Sequence, residues 1–273
     1  MTRVQLRLCA LALGIAATLA PLSHPHADDY GLAIARAEAL GRALYHNDRA
    51  AWIATDELRR RGVLAKATPV RGWVTEEVSG DVRVSFMGGP ANAPKVYYQV
   101  DVRRGQLLTD SFAAYKSGED PAAQTALMWK ARTTALAGTT VPCQGNYNTV
   151  VLPARGDGAR PDGFYVYLLW ATTDPQMMNI GGHLRVETTA DGARVVATKS
   201  FSNSCFSMPT TAANPPPGSV PVALYMTHVV APIPEENHVF VSLVHKRELL
   251  VGTDENRTIW AVKDGRIAFV RQL

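Results

Sequence analysis

Cysteine is scarce in this 273-residue chain, which contains only three, and their wide spacing does not suit a zinc ribbon. Charged residues make up 19% of the chain, and lysine and arginine form no block interleaved with aromatic residues. The sequence therefore lacks the basic track that nucleic-acid binding requires. A hydrophobic content of 47% also argues against a disordered chain.

Motifs that would identify an enzyme are missing as well. The sequence contains no phosphate-binding loop, no His-Glu-x-x-His pair, no calcium loop and no Gly-x-Ser-x-Gly turn. Glu76 and Glu77 are paired in sequence, but they fall within a predicted strand, where neighbours point to opposite faces and cannot act together. The sequence alone does not decide whether the protein is an enzyme.

The first part of the chain has the layout of a secretory signal peptide. Arg3 and Arg7 precede an apolar run that is too short to cross a bilayer, and Ala27 is a small residue suited to cleavage. Cleavage after Ala20 would instead leave a proline as the first mature residue. We therefore expect a signal peptide over residues 1–27 and an exported protein, periplasmic or secreted, with no transmembrane segment in the mature chain.

Two cysteines, Cys143 and Cys205, remain once this segment is removed. An even number of cysteines in an exported chain favours a disulfide bond. The alternatives are two buried free thiols or two ligands of a metal ion. The sequence predicts the disulfide in preference to either.

Hydrophobic periodicity predicts an α+β fold. A helix–antiparallel meander–helix unit is expected over residues 28–138, followed by a larger, mainly antiparallel β-sheet region over 139–273; the two form either one continuous domain or two. The first unit has predicted helices at 30–46, 49–61 and 119–137 and strands at 72–78, 82–86, 95–102 and 106–109. The second has predicted strands at 149–152, 164–171, 182–188, 193–201, 222–230, 238–245, 249–253, 259–263 and 266–270, with a proline connector at 214–218.

The predicted hairpin of strands 222–230 and 238–245 carries the main candidate site. In its expected register His228 and His238 share one face, about 6–8 Å apart at Cα. Glu235 and Glu236 lie in the connecting loop. Two imidazoles beside a carboxylate can bind a divalent metal such as zinc or act as an acid–base pair.

His228 and His183 also have purely structural interpretations. His228 alternates with Leu224 and Met226 and so belongs to an apolar face, where a histidine with one hydrogen bond is a common core residue. His183 alternates with Arg185 and is predicted to lie on a solvated polar face. It would complete a three-histidine metal site only if its strand lies beside the hairpin.

Tyr165 and Tyr167 share a strand face, and exposure of that face would favour a bound partner or ligand. Because no catalytic motif is specific, the sequence predicts an exported, soluble, non-enzymatic binding or interaction protein of the cell envelope. Its partner would be an envelope protein or a small ligand, and no cofactor is expected. The alternative is an exported hydrolase or metal-dependent enzyme that uses His228 and His238.

Overall fold

The computed structural model describes residues 30–64, 69–154, 162–172, 174–210 and 223–273. The predicted signal peptide and the proline connector at 214–218 lie outside the described residues. Within them the chain has an α+β fold in which helices alternate with mostly antiparallel sheets. The predicted fold class is confirmed.

The helices and strands follow the predicted order with three differences. Residues 31–60 form one helix instead of two, residues 236–245 form a helix instead of a strand, and the short strands at 177–179 and 207–209 were not predicted. The helices are α1 (Gly31–Arg60), α2 (Ala123–Gly138) and α3 (Glu236–His245). The strands of the first half are β1 (Gly72–Val78), β2 (Asp81–Gly88), β3 (Lys95–Arg103) and β4 (Gln106–Glu119). Those of the second half are β5 (Tyr147–Ala154), β6 (Gly163–Trp170), β7 (Met177–Asn179), β8 (Leu184–Thr189), β9 (Val195–Ser200), β10 (Ser207–Pro209), β11 (Ala223–His228), β12 (Glu248–Thr253), β13 (Thr258–Lys263) and β14 (Arg266–Gln272).

Three four-stranded sheets and one short ribbon form from the described strands. The first sheet is the predicted meander, β1-β2-β3-β4, and the second has the order β5-β6-β8-β9. The third sheet has the order β11-β12-β13-β14, and β7 pairs with β10 in the ribbon. Every described pairing is antiparallel except β11 with β12, which run parallel with α3 as their connection.

The second sheet lies at the centre of the fold and is covered on both faces. On β6, Tyr165 and Tyr167 face a core shared with α1, α3 and the third sheet. Phe164 and Val166 face a second core beneath α2. This burial on both sides explains why β6 is almost continuously hydrophobic rather than alternating. The suggestion that the two tyrosines form an exposed binding face is wrong, since Tyr165 is 9% exposed and Tyr167 fully buried.

α1 is one continuous helix, whereas the sequence predicts two helices separated at Asn47 and Asp48. A hydrogen bond within the helix accommodates Asn47, and a tertiary hydrogen bond accommodates Asp48. Asn47 Nδ2 donates a hydrogen bond to the carbonyl of Ala43, and Asp48 accepts one from Asn148 of β5. The early part of α1 packs into the core shared with α3, and its later part packs on the first sheet. The proposed boundary between residues 138 and 139 stays a prediction.

The predicted strand at 238–245 is wrong, because this segment is the helix α3. α3 crosses α1 at very short range at Gly41. A Cβ atom at Gly41 would lie 2.4 Å from the Cβ of Val239 and 2.8 Å from the carbonyl oxygen of Glu236. The absence of a side chain at Gly41 thus lets α3 approach α1 and places the first turn of α3 against the central sheet.

Candidate functional site

His228 and His238 lie together, although not in the predicted hairpin. His228 is the last residue of β11, and His238 is in the first turn of α3. Their ring centroids are 4.5 Å apart and the rings are nearly perpendicular. The loop between β11 and α3 turns the chain back on itself, so a parallel β-α-β connection brings together the two residues that the hairpin would have joined. Both rings are buried, with 4% and 3% exposure.

The first turn of α3 is held by a reciprocal capping interaction. The backbone N–H of Glu235 donates to Nδ1 of His238 at 3.0 Å, and the Glu235 carboxylate caps the backbone of the same turn. Because Nδ1 is an acceptor, the proton of the neutral imidazole is on Nε2. Burial, together with the neighbouring His228, holds the pKa of His238 well below its usual 6.5. His238 is therefore a neutral ring with Nε2–H available as a donor.

Glu235 links the histidine pair to a cation. Its carboxylate contacts Nζ of Lys199 on β9, and Oε2 lies 3.4 Å from Nε2 of His228. Burial opposes ionisation of Glu235, but the contacts with His228 and Lys199 prevail and lower its pKa. The Glu235 side chain is therefore a carboxylate near neutral pH, buried and paired with Lys199.

Glu236 faces away from the histidines and into the central sheet. Arg185 Nη1 donates to its carboxylate at 2.5 Å, and the hydroxyl of Tyr167 donates at 3.2 Å. Burial raises the pKa of Tyr167 well above its usual value, and the Glu236 charge adds to this effect. Tyr167 therefore stays protonated as a donor. Glu236 anchors α3 to the sheet, whereas Glu235 is the carboxylate beside the histidine pair.

A pocket of ≈ 400 Å³ opens above the two histidines. Its volume falls within the range of about 300–1,000 Å³ typical of small-ligand sites. The pocket lies between β11 with its following loop, the segment after β9, and the first turn of α3. Its lining combines apolar and polar side chains, among them Phe201, Phe206, Met226, His228, Asn237 and His238.

Asn237 is the unusual member of this lining. It is 1% exposed, and its side-chain amide makes no hydrogen bond to any residue that the structure describes, its Oδ1 being fully buried. His228 Nε2 and Glu235 Oε2 are also buried without a hydrogen bond of good geometry in this part of the chain, although they lie near each other. Buried polar groups without partners are rare in proteins. Their concentration beside one pocket marks it as a candidate functional site.

His183 is buried behind the pocket and does not lie on a solvated face. Its exposure is only 2%, so that prediction is wrong. Nδ1 accepts a hydrogen bond from the backbone of Trp170, Nε2 pairs with the carbonyl of Asn179, and the ring edge packs on Phe240. Burial lowers its pKa to about 4. Since both nitrogens are engaged, His183 is positioned as a structural residue.

The sequence-predicted metal candidates form no recognisable metal centre. No group of three histidine, cysteine, aspartate or glutamate side chains within the described ranges is arranged to hold an ion. His228 and His238 are close enough to share a ligand, but Nδ1 of His238 is taken by the cap of α3. The site therefore provides a neutral hydrogen-bond donor at His238 and a histidine–carboxylate pair formed by His228 and Glu235.

The predicted disulfide between Cys143 and Cys205 is confirmed, with a Cα–Cα distance of 5.7 Å. Ser204 and Phe206, on either side of Cys205, both line the pocket. The bond therefore ties one wall of the pocket to the segment between α2 and β5. A disulfide of this kind indicates an oxidising environment.

Three contributors to the site were missed by sequence reasoning. Asn237 follows two acidic residues that were assigned to a loop, and Lys199 and Arg185 lie on distant strands with no local motif. The one available signal was the acidic pair before residues 237–245, which is typical of a helix N-terminus.

Comparisons with family models, curated proteins and solved structures gave no match to this chain. None of the helices in the described ranges has the length and apolar character needed to cross a membrane.

Proposed function

We propose that this chain is an exported, non-enzymatic binding protein whose ligand occupies the pocket formed by β11, α3 and the segment after β9. The observation that carries the proposal is the Asn237 side chain, which is buried in the pocket lining without a hydrogen-bond partner in the described residues. The disulfide, which suits an oxidising compartment, supports export. A partner in the cell envelope or a small ligand from outside the cell is consistent with that location.

The unpartnered amide has an energetic consequence. A buried polar group without a hydrogen bond destabilises a fold by about 1–3 kcal/mol. A leucine of similar size would avoid that penalty. A polar residue that destabilises the free protein at a pocket is the pattern expected when a ligand supplies the missing partner.

The lining indicates the chemistry of the ligand. His238 offers an N–H donor, and Asn237 offers both a donor and an acceptor through its amide. Phe201, Phe206 and Met226 provide apolar walls, while the charge of Glu235 is matched by Lys199. The site thus favours a small neutral molecule with an apolar body and a hydroxyl or amide head.

Stability measurements on Asn237→Leu test the proposal without knowledge of the ligand. We expect this variant to be more stable than the wild type by about 1–2 kcal/mol in urea denaturation. The matched control is Asn256→Leu, because Asn256 is also buried but bonds to Pro232, Thr253 and Thr258. The free energy of unfolding of this control variant should fall by about 2–4 kcal/mol. Equal destabilisation of both variants would show that Asn237 is structural and would refute the proposal.

Ligand binding is tested by thermal-shift screening with small neutral amides and alcohols that carry aromatic or aliphatic groups. Compounds that raise the melting temperature of the wild type should have no such effect on Asn237→Leu or His238→Ala. Compounds that stabilise all three proteins equally would place binding elsewhere. A library without any stabilising compound would contradict this ligand class.

A second candidate function is hydrolysis, favoured by the contact of His228 with Glu235 beside the pocket. Such a pair suits a general base that activates water. Ser202 also lines the pocket, but its hydroxyl donates to the carbonyl of Ser204 and accepts from Gly182, so it is not held as a nucleophile. Hydrolysis of p-nitrophenyl esters that is abolished in His228→Ala and unchanged in His245→Ala would favour the enzyme over the binding protein.

A further inference from the structure

A second pocket, of ≈ 340 Å³, is lined in part by the β7–β10 ribbon and shares no lining residue with the histidine pocket. Its floor is Trp170, the last residue of β6, which is partly exposed. Around the indole lie side chains that are polar but uncharged, including Gln144, Asn146, Thr172 and Ser207. Neither function proposed above requires an indole surrounded by uncharged polar side chains in a second pocket.

The indole is fixed in place by its surroundings. Nε1 donates to the backbone carbonyl of Gln144 at 2.9 Å, and the backbone carbonyl of Trp170 accepts a hydrogen bond from Asn179. Gly145 borders one edge of the ring, where a Cβ atom would lie 3.4 Å from Nε1. Gly182 borders another edge, where a Cβ atom would lie 3.3 Å from Cε3. The ring is thus a preorganised surface rather than a mobile side chain.

Two side-chain amides beside this ring are free. Gln144 and Asn146 are exposed, and neither side chain has a hydrogen-bond partner among the described residues. Each amide provides two donors and one acceptor oxygen, so it can bond to neighbouring hydroxyl groups in either direction. The hydroxyl of Thr172 accepts a hydrogen bond from the backbone of Asp174 and donates to no acceptor among the described residues.

We infer that this second pocket is a binding subsite for a neutral carbohydrate. A sugar ring has an apolar face of C–H groups, which matches the flat indole, and an edge of hydroxyls, which matches amides and hydroxyls. Phosphorylated or acidic ligands fit less well, because no lysine or arginine among the described residues lines the pocket. A purely apolar ligand would leave the amides without partners.

The test is a titration of the full mature protein with three neutral trisaccharides: chitotriose, cellotriose and maltotriose. Binding is followed by tryptophan fluorescence and by calorimetry, since Trp170 is in the pocket. We expect saturable binding of at least one sugar. Gln144→Ala and Asn146→Ala should each weaken it by about five- to tenfold, the effect of one lost hydrogen bond. Both residues are exposed, so circular dichroism should show unchanged folding.

Asn203→Ala is the matched control, because Asn203 is an exposed amide that lines the histidine pocket instead. It should leave sugar binding unchanged, as should Asn237→Leu, so this inference and the proposed function can fail separately. Absence of saturable binding for all three sugars would overturn the inference. Sugar binding that neither Gln144→Ala nor Asn146→Ala weakens would also overturn it.

Discussion

Asp48 gives the most direct test of the electrostatics in this fold. It lies in the middle of α1, where the sequence predicts a break, and accepts a hydrogen bond from Asn148 at 3.2 Å. Burial raises its pKa from 3.8 to about 6, against smaller opposing effects of the Asn148 hydrogen bond and the Arg49 charge. Each tenfold change in the dissociation constant corresponds to about 1.4 kcal/mol, so the ionised carboxylate destabilises the native state by about 3 kcal/mol at most.

The sign of the pH dependence follows from the raised pKa. Between pH 4 and 6 the unfolded chain releases the proton of Asp48 while the folded chain keeps it, so stability falls as pH rises and the full penalty applies above pH 6. Asp48→Asn keeps the shape and the acceptor but removes the charge. It should therefore be more stable than the wild type at pH 7.5, by up to about 3 kcal/mol, and differ by less than about 1 kcal/mol at pH 4.

Urea denaturation of both proteins at the two pH values measures this difference, and other titrating groups cancel in the comparison. Asp56→Asn is the control, because Asp56 is exposed on the same helix and pairs with the exposed Arg59. It should change stability by less than about 0.5 kcal/mol at either pH. If Asp48→Asn had the same effect at pH 4 and pH 7.5, the assignment of a partly buried, reluctantly ionised carboxylate would be refuted.

Three further predictions concern the parts of the structure that shape the histidine pocket. Arg185→Met should destabilise the protein by about 3–5 kcal/mol in urea, because Glu236 would remain buried without its cation; a loss below about 1 kcal/mol would mean that the pair does not anchor α3. Reduction of the disulfide between Cys143 and Cys205, which are 62 residues apart, should lower the free energy of unfolding by about 4 kcal/mol and the melting temperature by roughly 10 °C. An unchanged melting temperature would contradict this. Elemental analysis of protein purified without chelator should find no stoichiometric zinc, because Nδ1 of His238 accepts a hydrogen bond in the helix cap and Nε2 therefore carries the ring proton, which leaves neither nitrogen a free lone pair. Zinc that disappears in His238→Ala would favour a metal-dependent enzyme.

The parts of the fold that local sequence determines were predictable. Alternating residues and turn-forming glycines predicted β1, β2 and β3 close to their observed limits. The hairpin turns at Asp191–Gly192 and Asp264–Gly265 were also predicted, and both glycines have positive φ angles that few other residues adopt. Pairing of Cys143 with Cys205 followed from counting the cysteines that remain after the predicted signal peptide.

The helix α3 was not predictable in the same way, because its local preference opposes its structure. Residues 239–241 are Val, Phe and Val, which favour a strand. The helical state depends on the cap between Glu235 and His238 and on close packing at Gly41 of α1. The second contact joins residues about 200 positions apart, so no local pattern contains it. The prediction that His183 lies on a solvated face failed for a related reason. The side chains of its strand alternate between two faces as predicted, but whether a face is covered depends on the tertiary fold.

The proximity of His228 and His238 was predicted from a hairpin that does not exist, and this agreement has a physical basis. In either topology the seven-residue connection 229–235 must return the chain toward the end of β11, so the residues just before and after it come together. The difference lies in what surrounds them. A hairpin would have left both histidines on an open sheet face with Glu235 and Glu236 above them. The helix α3 instead buries the pair, directs Glu236 into the central sheet and brings Asn237 to the pocket lining. Asn237, which carries the proposed function, therefore reaches the pocket only because of a helix that the sequence did not predict.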